Sequence, residues 1–175
     1  MFTPQQPARI GLCPGAEYGP AKRWPIEYFR ALMDQLLPYP ILWILIGTKA
    51  EQELAPPLVE DFAGRLDNNI GKTSLQELIE LMKSFHLLLT NDTGSMHLAA
   101  LYNIPTIALF GSTDPQRTGP QGALHRVIKH PVECSPCFLR VCPIDFRCMR
   151  KITPQEVAQA LLEKLEIINF SSSLQ

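Results

Sequence analysis

Six consecutive apolar residues, Ile41-Leu42-Trp43-Ile44-Leu45-Ile46, stand between Pro40 and Gly47. The run is too short for a buried helix and shows no polar alternation. It therefore predicts a strand covered on both faces. A sheet covered on both sides needs helices on both sides. That requirement constrains everything else in the chain.

The flanking sequence meets it. Arg9–Cys13 is a second short apolar run, ending at Pro14-Gly15. His86–Thr90 and Thr106–Phe110 are a third and a fourth. Between them the apolar period changes to that of a helix. Ile26, Phe29, Leu32, Met33, Leu36 and Leu37 form one stripe, opened by Pro25 and closed by Pro38. Ser74-Leu75-Gln76-Glu77 is a capping box before Leu78, Ile79, Met82 and Phe85. Ser95–Leu101 predicts a short helix. Thr153-Pro154-Gln155-Glu156 caps a last one, which buries Val157, Ala158, Leu161, Leu162 and Leu165. Lys49–Phe62 also looks helical but is interrupted by Pro56-Pro57. Gly111–Lys151 is rich in Pro, Gly and Cys and offers one strand, Arg126–His130. Residues 168–175, with Ser171-Ser172-Ser173, read as a frayed tail. The expectation is one α/β domain over residues 1–175, Rossmann-like, in three layers, with a mainly parallel sheet.

Composition narrows the function. The net charge is −1, which gives no basic surface of the kind nucleic acid requires. No apolar run approaches the ~20 residues of a membrane span. The first residues, Met1 to Pro7, lack a basic region followed by an apolar one, so they are not a secretory signal. A cytoplasmic location follows as an expectation.

In an open parallel sheet, ligands bind beyond the carboxyl ends of the strands. Asn91-Asp92-Thr93-Gly94-Ser95-Met96-His97 is the sharpest such end. A strand stops and a helix starts there, so free N–H groups and the helix dipole favour a phosphate. Thr93 and Ser95 add hydroxyls. The plainer alternative is that Asp92 or Thr93 only caps the helix. Lys22 and Arg23 sit in the loop after the first strand, within reach of such a phosphate, or else as a solvated basic pair. Glu17 and Glu51 are carboxylates at the same edge, able to accept from sugar hydroxyls or simply exposed. Neither a Walker loop nor a G-x-G-x-x-G run is present. Asp92, Ser95 and His97 do not make a hydrolytic triad, because residues two apart on a helix do not face each other.

Taken together the motifs carry a resemblance. Pro14-Gly15-Ala16-Glu17-Tyr18-Gly19-Pro20-Ala21-Lys22-Arg23-Trp24-Pro25 resembles the opening motif of the donor-binding domain of bacterial ADP-heptose:lipopolysaccharide heptosyltransferases, type II. Asn91 to Ala100 resembles their second motif, and Gly71-Lys72-Thr73-Ser74-Leu75 and Leu109 to Pro115 are also similar. The likeness runs from about Arg9 to Leu165. It implies the C-terminal half of a two-domain glycosyltransferase-B architecture. The acceptor-binding N-terminal domain and its general base are then missing from this sequence.

The resemblance also implies roles. Thr93, Gly94 and Ser95 would hold the diphosphate of an ADP-sugar. Lys22 would neutralise ADP as it leaves, and Glu51 would bind the adenosine ribose. Asp92 and His97 would line the heptose and phosphate pocket, with Glu17 nearby. The donor would be ADP-L-glycero-D-manno-heptose, with no cofactor or metal required. The acceptor would be the lipopolysaccharide inner core, reached through the absent domain, with room for peripheral contact with the inner membrane. The alternatives are a non-catalytic nucleotide-binding module and a transferase for another nucleotide sugar. The chain alone is expected to transfer no heptose. It is expected to expose Tyr18 and Trp24 at the cleft and to self-associate there. Cys134, Cys137, Cys142 and Cys148 leave three readings open: zinc, oxidised pairs or free thiols.

Overall fold

The structure is a computed structural model that describes residues 2–172. Its centre is a sheet of six parallel strands in the order β3-β2-β1-β4-β5-β6. The strands are β1 Ala8–Cys13, β2 Ile41–Leu45, β3 Leu66–Asn68, β4 Leu87–Asn91, β5 Thr106–Leu109 and β6 His125–Ile128. The α-helices are α1 Ile26–Gln35, α2 Pro56–Val59, α3 Leu75–Met82, α4 Gly94–Leu101, α5 Pro115–Thr118, α6 Arg147–Arg150 and α7 Pro154–Ser172.

Alternation along the strands builds two cores. Ile10 and Leu12 of β1, Trp43 and Leu45 of β2, and Leu87 and Leu89 of β4 face Phe29, Leu32 and Met33 of α1 and Val157 and Leu161 of α7. Ile44 and Leu88 point the other way, onto Met82, Phe85 and Ala99. Both faces are therefore covered, as the run after Pro40 requires. Each such buried Leu, Ile or Phe contributes about 1.5–3 kcal/mol. Gly11 has no side chain because the Phe85 ring fills the space a Cβ would take.

Several boundaries differ from the sequence expectation. Lys49–Phe62 is a 3-10 segment, Lys49–Leu54, followed by α2, because Pro56 and Pro57 allow only a new helix start. Strand β3 was not foreseen. It has one apolar residue in three and is a strand because Trp43, Ile44 and Leu45 pair with it. β4 starts one residue late, since the His86 ring instead accepts a hydrogen bond from the Arg9 N–H at 3.0 Å. β6 lies earlier than Arg126–His130, and His130 instead bonds Glu156 of α7 at 2.7 Å. α7 continues through Ser172, with Ile168 against the core. Residues 173–175 of the expected tail lie outside the described residues.

Candidate functional site

Strand order reverses direction between β1 and β4, so a crevice opens where their following loops part. Asn91, the last residue of β4, organises it. Its buried side-chain amide donates to the carbonyls of Pro14 at 2.9 Å and Gly15 at 3.1 Å, and its oxygen accepts from Trp24 N–H at 3.0 Å. Both ends of the loop after β1 are thus clasped by one residue. Trp24 is 2% exposed, donates its indole N–H to the Ile152 carbonyl at 2.9 Å and packs edge-on against Phe29. It is a core anchor, which corrects the expectation that it lies open at the cleft. Its indole needs an apolar bed and one acceptor, and the interior supplies both. Tyr18 is 39% exposed, as expected. Of the two aromatic residues expected to carry self-association at this edge, Tyr18 alone is exposed.

Clasped in this way, the loop places Lys22. Its Nζ lies 2.7 Å from Asp92 Oδ2, and the two side chains are 12% and 5% exposed. The same oxygen accepts from Thr113 Oγ1 at 2.7 Å and Thr118 Oγ1 at 3.4 Å. Lys22 also stands 4.8 Å from the centre of the Tyr18 ring, with the Arg140 guanidinium at 4.9 Å. Tyr18 donates its hydroxyl to the Phe138 carbonyl at 2.8 Å.

Beside this pair, a cleft of about 240 Å³ is lined by Glu17, Glu51, Thr93, Gly94 and Ser95, with Cys13, Thr48 and Leu75 among the other walls. Glu51 is 5% exposed and caps the Lys49–Leu54 segment. Its Oε2 accepts from Thr48 N–H at 2.8 Å and Thr48 Oγ1 at 3.0 Å. Gly15 is needed opposite, because a Cβ there would collide with the Glu51 carboxylate. Burial, with the Glu51 charge as a lesser cause, pushes the Cys13 thiol up to about 11.

At α4 the capping alternative is answered. Thr93 occupies the N-cap position in extended backbone, with no side-chain cap bond. The Asp92 carboxylate is turned to Lys22 and Thr113. The first N–H groups of a helix have no partner within it. A Cβ on Gly94 would meet nothing within 4 Å, so open space lies before that end. Five of the eight predicted residues thus line one cleft, and Lys22 and Asp92 form the ion pair next to it. His97 is exposed on α4 and is not among the cleft walls. Asn91, Thr113 and Arg140 were not singled out as site residues. Asn91 and Thr113 lie inside the quoted motifs, whereas nothing in the sequence marks Arg140.

A second hollow, about 250 Å³, lies behind Arg23 and Trp24 and contains none of the predicted residues. Polar groups converge in the first cleft, which makes it the candidate site. The cysteines are free thiols, and among the described residues no group of three or more His, Cys, Asp or Glu is placed to hold a metal.

A family model described as glycosyltransferase family 9 (heptosyltransferase) matches residues 3–146. Lipooligosaccharide heptosyltransferase 2 of Campylobacter jejuni is 32% identical over 155 residues, covering 86% of this chain and 49% of that protein. The Haemophilus influenzae protein of the same name is 41% identical over 115 residues, 63% of this chain and 33% of that one. The solved structure of Escherichia coli ADP-heptose LPS heptosyltransferase II superposes with a TM-score of 0.77 at 30% identity, covering 95% of this chain and 48% of that one. The chain spans half the length or less of these relatives.

Proposed function

The chain belongs to glycosyltransferase family 9, the heptosyltransferases, and from that premise we propose that residues 1–175 are the donor-binding half of an enzyme that moves heptose from ADP-L-glycero-D-manno-heptose to the inner core of lipopolysaccharide. The observation that carries the reading is the meeting of an uncapped helix start, a half-buried lysine and a buried glutamate at the switch point of the sheet. A nucleoside diphosphate offers a matching set of groups. Its phosphates would take the N–H groups of Gly94 and Ser95, with the hydroxyls of Thr93 and Ser95 beside them. Its ribose hydroxyls would donate to Glu51, which Thr48 already orients.

The proposed reaction inverts the sugar. An acceptor hydroxyl oxygen bonds to the anomeric carbon as the bond from that carbon to the β-phosphate oxygen breaks. The acceptor's proton passes to a base in the acceptor-binding half, beyond the length this chain spans. Negative charge grows on the departing ADP. Lys22 and the α4 dipole would stabilise it, and preorganised contacts of this type are worth ~10²–10³ in rate. Asp92 and His97 would border the sugar and phosphate. A cytoplasmic location agrees with this reading, and no described helix is long and apolar enough to cross a membrane.

Calorimetric titration of ADP and adenosine tests the assignment. Lys22→Ala is expected to weaken ADP by about 1.5–3 kcal/mol, the range for a hydrogen bond to a charged group, and to leave adenosine nearly unchanged. Gly94→Val should fold normally, since its Cβ meets open space, yet lose ADP by blocking backbone approach. Equal loss for both ligands in Lys22→Ala, or loss for neither, would make Lys22 a structural charge and sink the assignment.

A further inference from the structure

The proposed reaction makes no use of the hollow of about 250 Å³ behind Trp24. It shares no lining residue with the candidate cleft. Its walls are mostly rings, those of Pro14, Pro20, Pro25, Trp24 and Phe146. Hydrogen bonds fix these walls in place. Asn91 holds the Pro14 carbonyl and the Trp24 N–H, and the Trp24 indole donates to the Ile152 carbonyl. The hollow is therefore formed before anything enters it.

Two guanidinium groups and one carboxylate border it. Arg150 is paired with Glu27 at 3.6 Å, so those two charges offset each other. Arg23 differs. It is half-buried, and no acid among the described residues pairs with it. Its Nε is buried and has no hydrogen-bond partner. Of the three such atoms among the described residues, on Arg23, Ser112 and His125, only the first borders this hollow. A buried donor without an acceptor carries its full desolvation penalty, and an acceptor brought from outside relieves it.

These features select a ligand. Nε and a terminal guanidinium nitrogen present parallel N–H groups that fit the two oxygens of a carboxylate. One unpaired positive charge matches a monoanion. A phosphate dianion would leave one negative charge unmatched between apolar walls. Ring walls suit a flat apolar body. The volume lies just under the ~300–1,000 Å³ of sites for drug-sized ligands, so the occupant is little more than one ring and its acid group. We propose that this hollow is a second ligand site, for a small aromatic carboxylate whose acid group pairs with Arg23 and whose ring lies among Trp24, Phe146 and the prolines.

The test is calorimetric titration of the 175-residue chain with phenylacetate, its neutral analogue phenylacetamide, and inorganic phosphate. Phenylacetate is expected to bind with a Kd of about 0.1–10 mM, in keeping with so few atoms. Phenylacetamide should bind at least about tenfold more weakly, since it cannot form the charged pair. Neither phosphate nor ADP should displace phenylacetate. Arg23→Gln should lose at least about tenfold in phenylacetate affinity and leave phenylacetamide unchanged. Its thermal midpoint should stay close to that of the wild type, because the substitution removes no hydrogen bond from Nε. Leu54→Trp, which fills the hollow from its wall, should lose both ligands. No binding of phenylacetate, equal binding of the amide, displacement by phosphate or ADP, or undiminished binding by either variant would each overturn the proposal.

Discussion

Residues up to Leu109 and residues from Gly111 to Ile152 cover the same sheet by opposite means. The first stretch repeats strand and helix, and its side chains alternate between two apolar cores. The second has one edge strand and two single-turn helices, and between its few core anchors, Ile128, Val132, Met149 and Ile152, it is held by individual polar contacts. Ser135 Oγ donates to the Gly111 carbonyl at 2.6 Å, the Ser112 carbonyl takes two N–H groups, and the Tyr18 hydroxyl reaches Phe138. Apolar burial spreads its contribution over many residues, whereas a pinned loop depends on a few. The regular part should therefore open only with global unfolding and the pinned part separately. Both border the candidate site: β1 and β4 supply its floor, and the pinned segment supplies Arg140 beside Tyr18.

The strongest way to break this contrast is Asn91→Ala. It removes three hydrogen bonds from a buried position and strands two carbonyls and an N–H. At about 1 kcal/mol or more for each, a loss of about 3 kcal/mol or more is expected in the unfolding free energy from urea titration. A variant as stable as the wild type would mean that the loop after β1 is held by packing alone.

Thiol labelling sharpens the contrast with a smaller effect. Cys13, in the regular part, is buried and its thiol is raised from 9.0 to about 11. Cys134, Cys137 and Cys142 are half-buried in the pinned segment. Iodoacetamide near pH 8 should modify those three and spare Cys13 until the chain unfolds. The folded thiol is raised above its unfolded value, so its contribution to stability is complete below pH 9. That contribution is lost as pH rises toward 11. Cys13 modified as fast as the other three would show that the first strand opens locally.

The smallest effect belongs to Tyr18→Phe, which deletes one exposed hydrogen bond. The global unfolding free energy should fall by no more than about 1 kcal/mol. Amide exchange should quicken around Phe138 while β1 and β4 stay protected. Unchanged exchange there would deny Tyr18 a part in holding the loop.

What could be read beforehand follows the same division. Strands β1, β2, β4 and β5 announce themselves because burial on both faces makes them nearly continuous apolar runs, with polar residues only near their ends. β3 does not, since Leu66-Asp67-Asn68 becomes a strand only by pairing with β2. The start of α4 was legible as a strand stop followed by Gly94. Trp24 was misread, since exposure depends on what Ile152, over a hundred residues later, places above it. The same applies to Arg140, whose place beside Tyr18 comes from chain folding back across the sheet edge. Glu51 was found as a carboxylate at the right edge. Its bond to Thr48 needed the turn geometry to be seen.

The pairing of Lys22 with Asp92 changes what occupancy means at this site. The ammonium group beside the cleft already has an anion, delivered by the protein and tied down by Thr113. Under the proposed function an incoming diphosphate would not meet a bare cation; it would take over a counter-ion post that is already filled. Binding would then be an exchange of anions around one ammonium group, with the carboxylate set free as the phosphate arrives. A released Asp92 would be a negative charge newly available beside the sugar, at the moment when positive charge begins to gather on the anomeric carbon. One short contact would thus link filling of the phosphate seat to charging of the seat next to it.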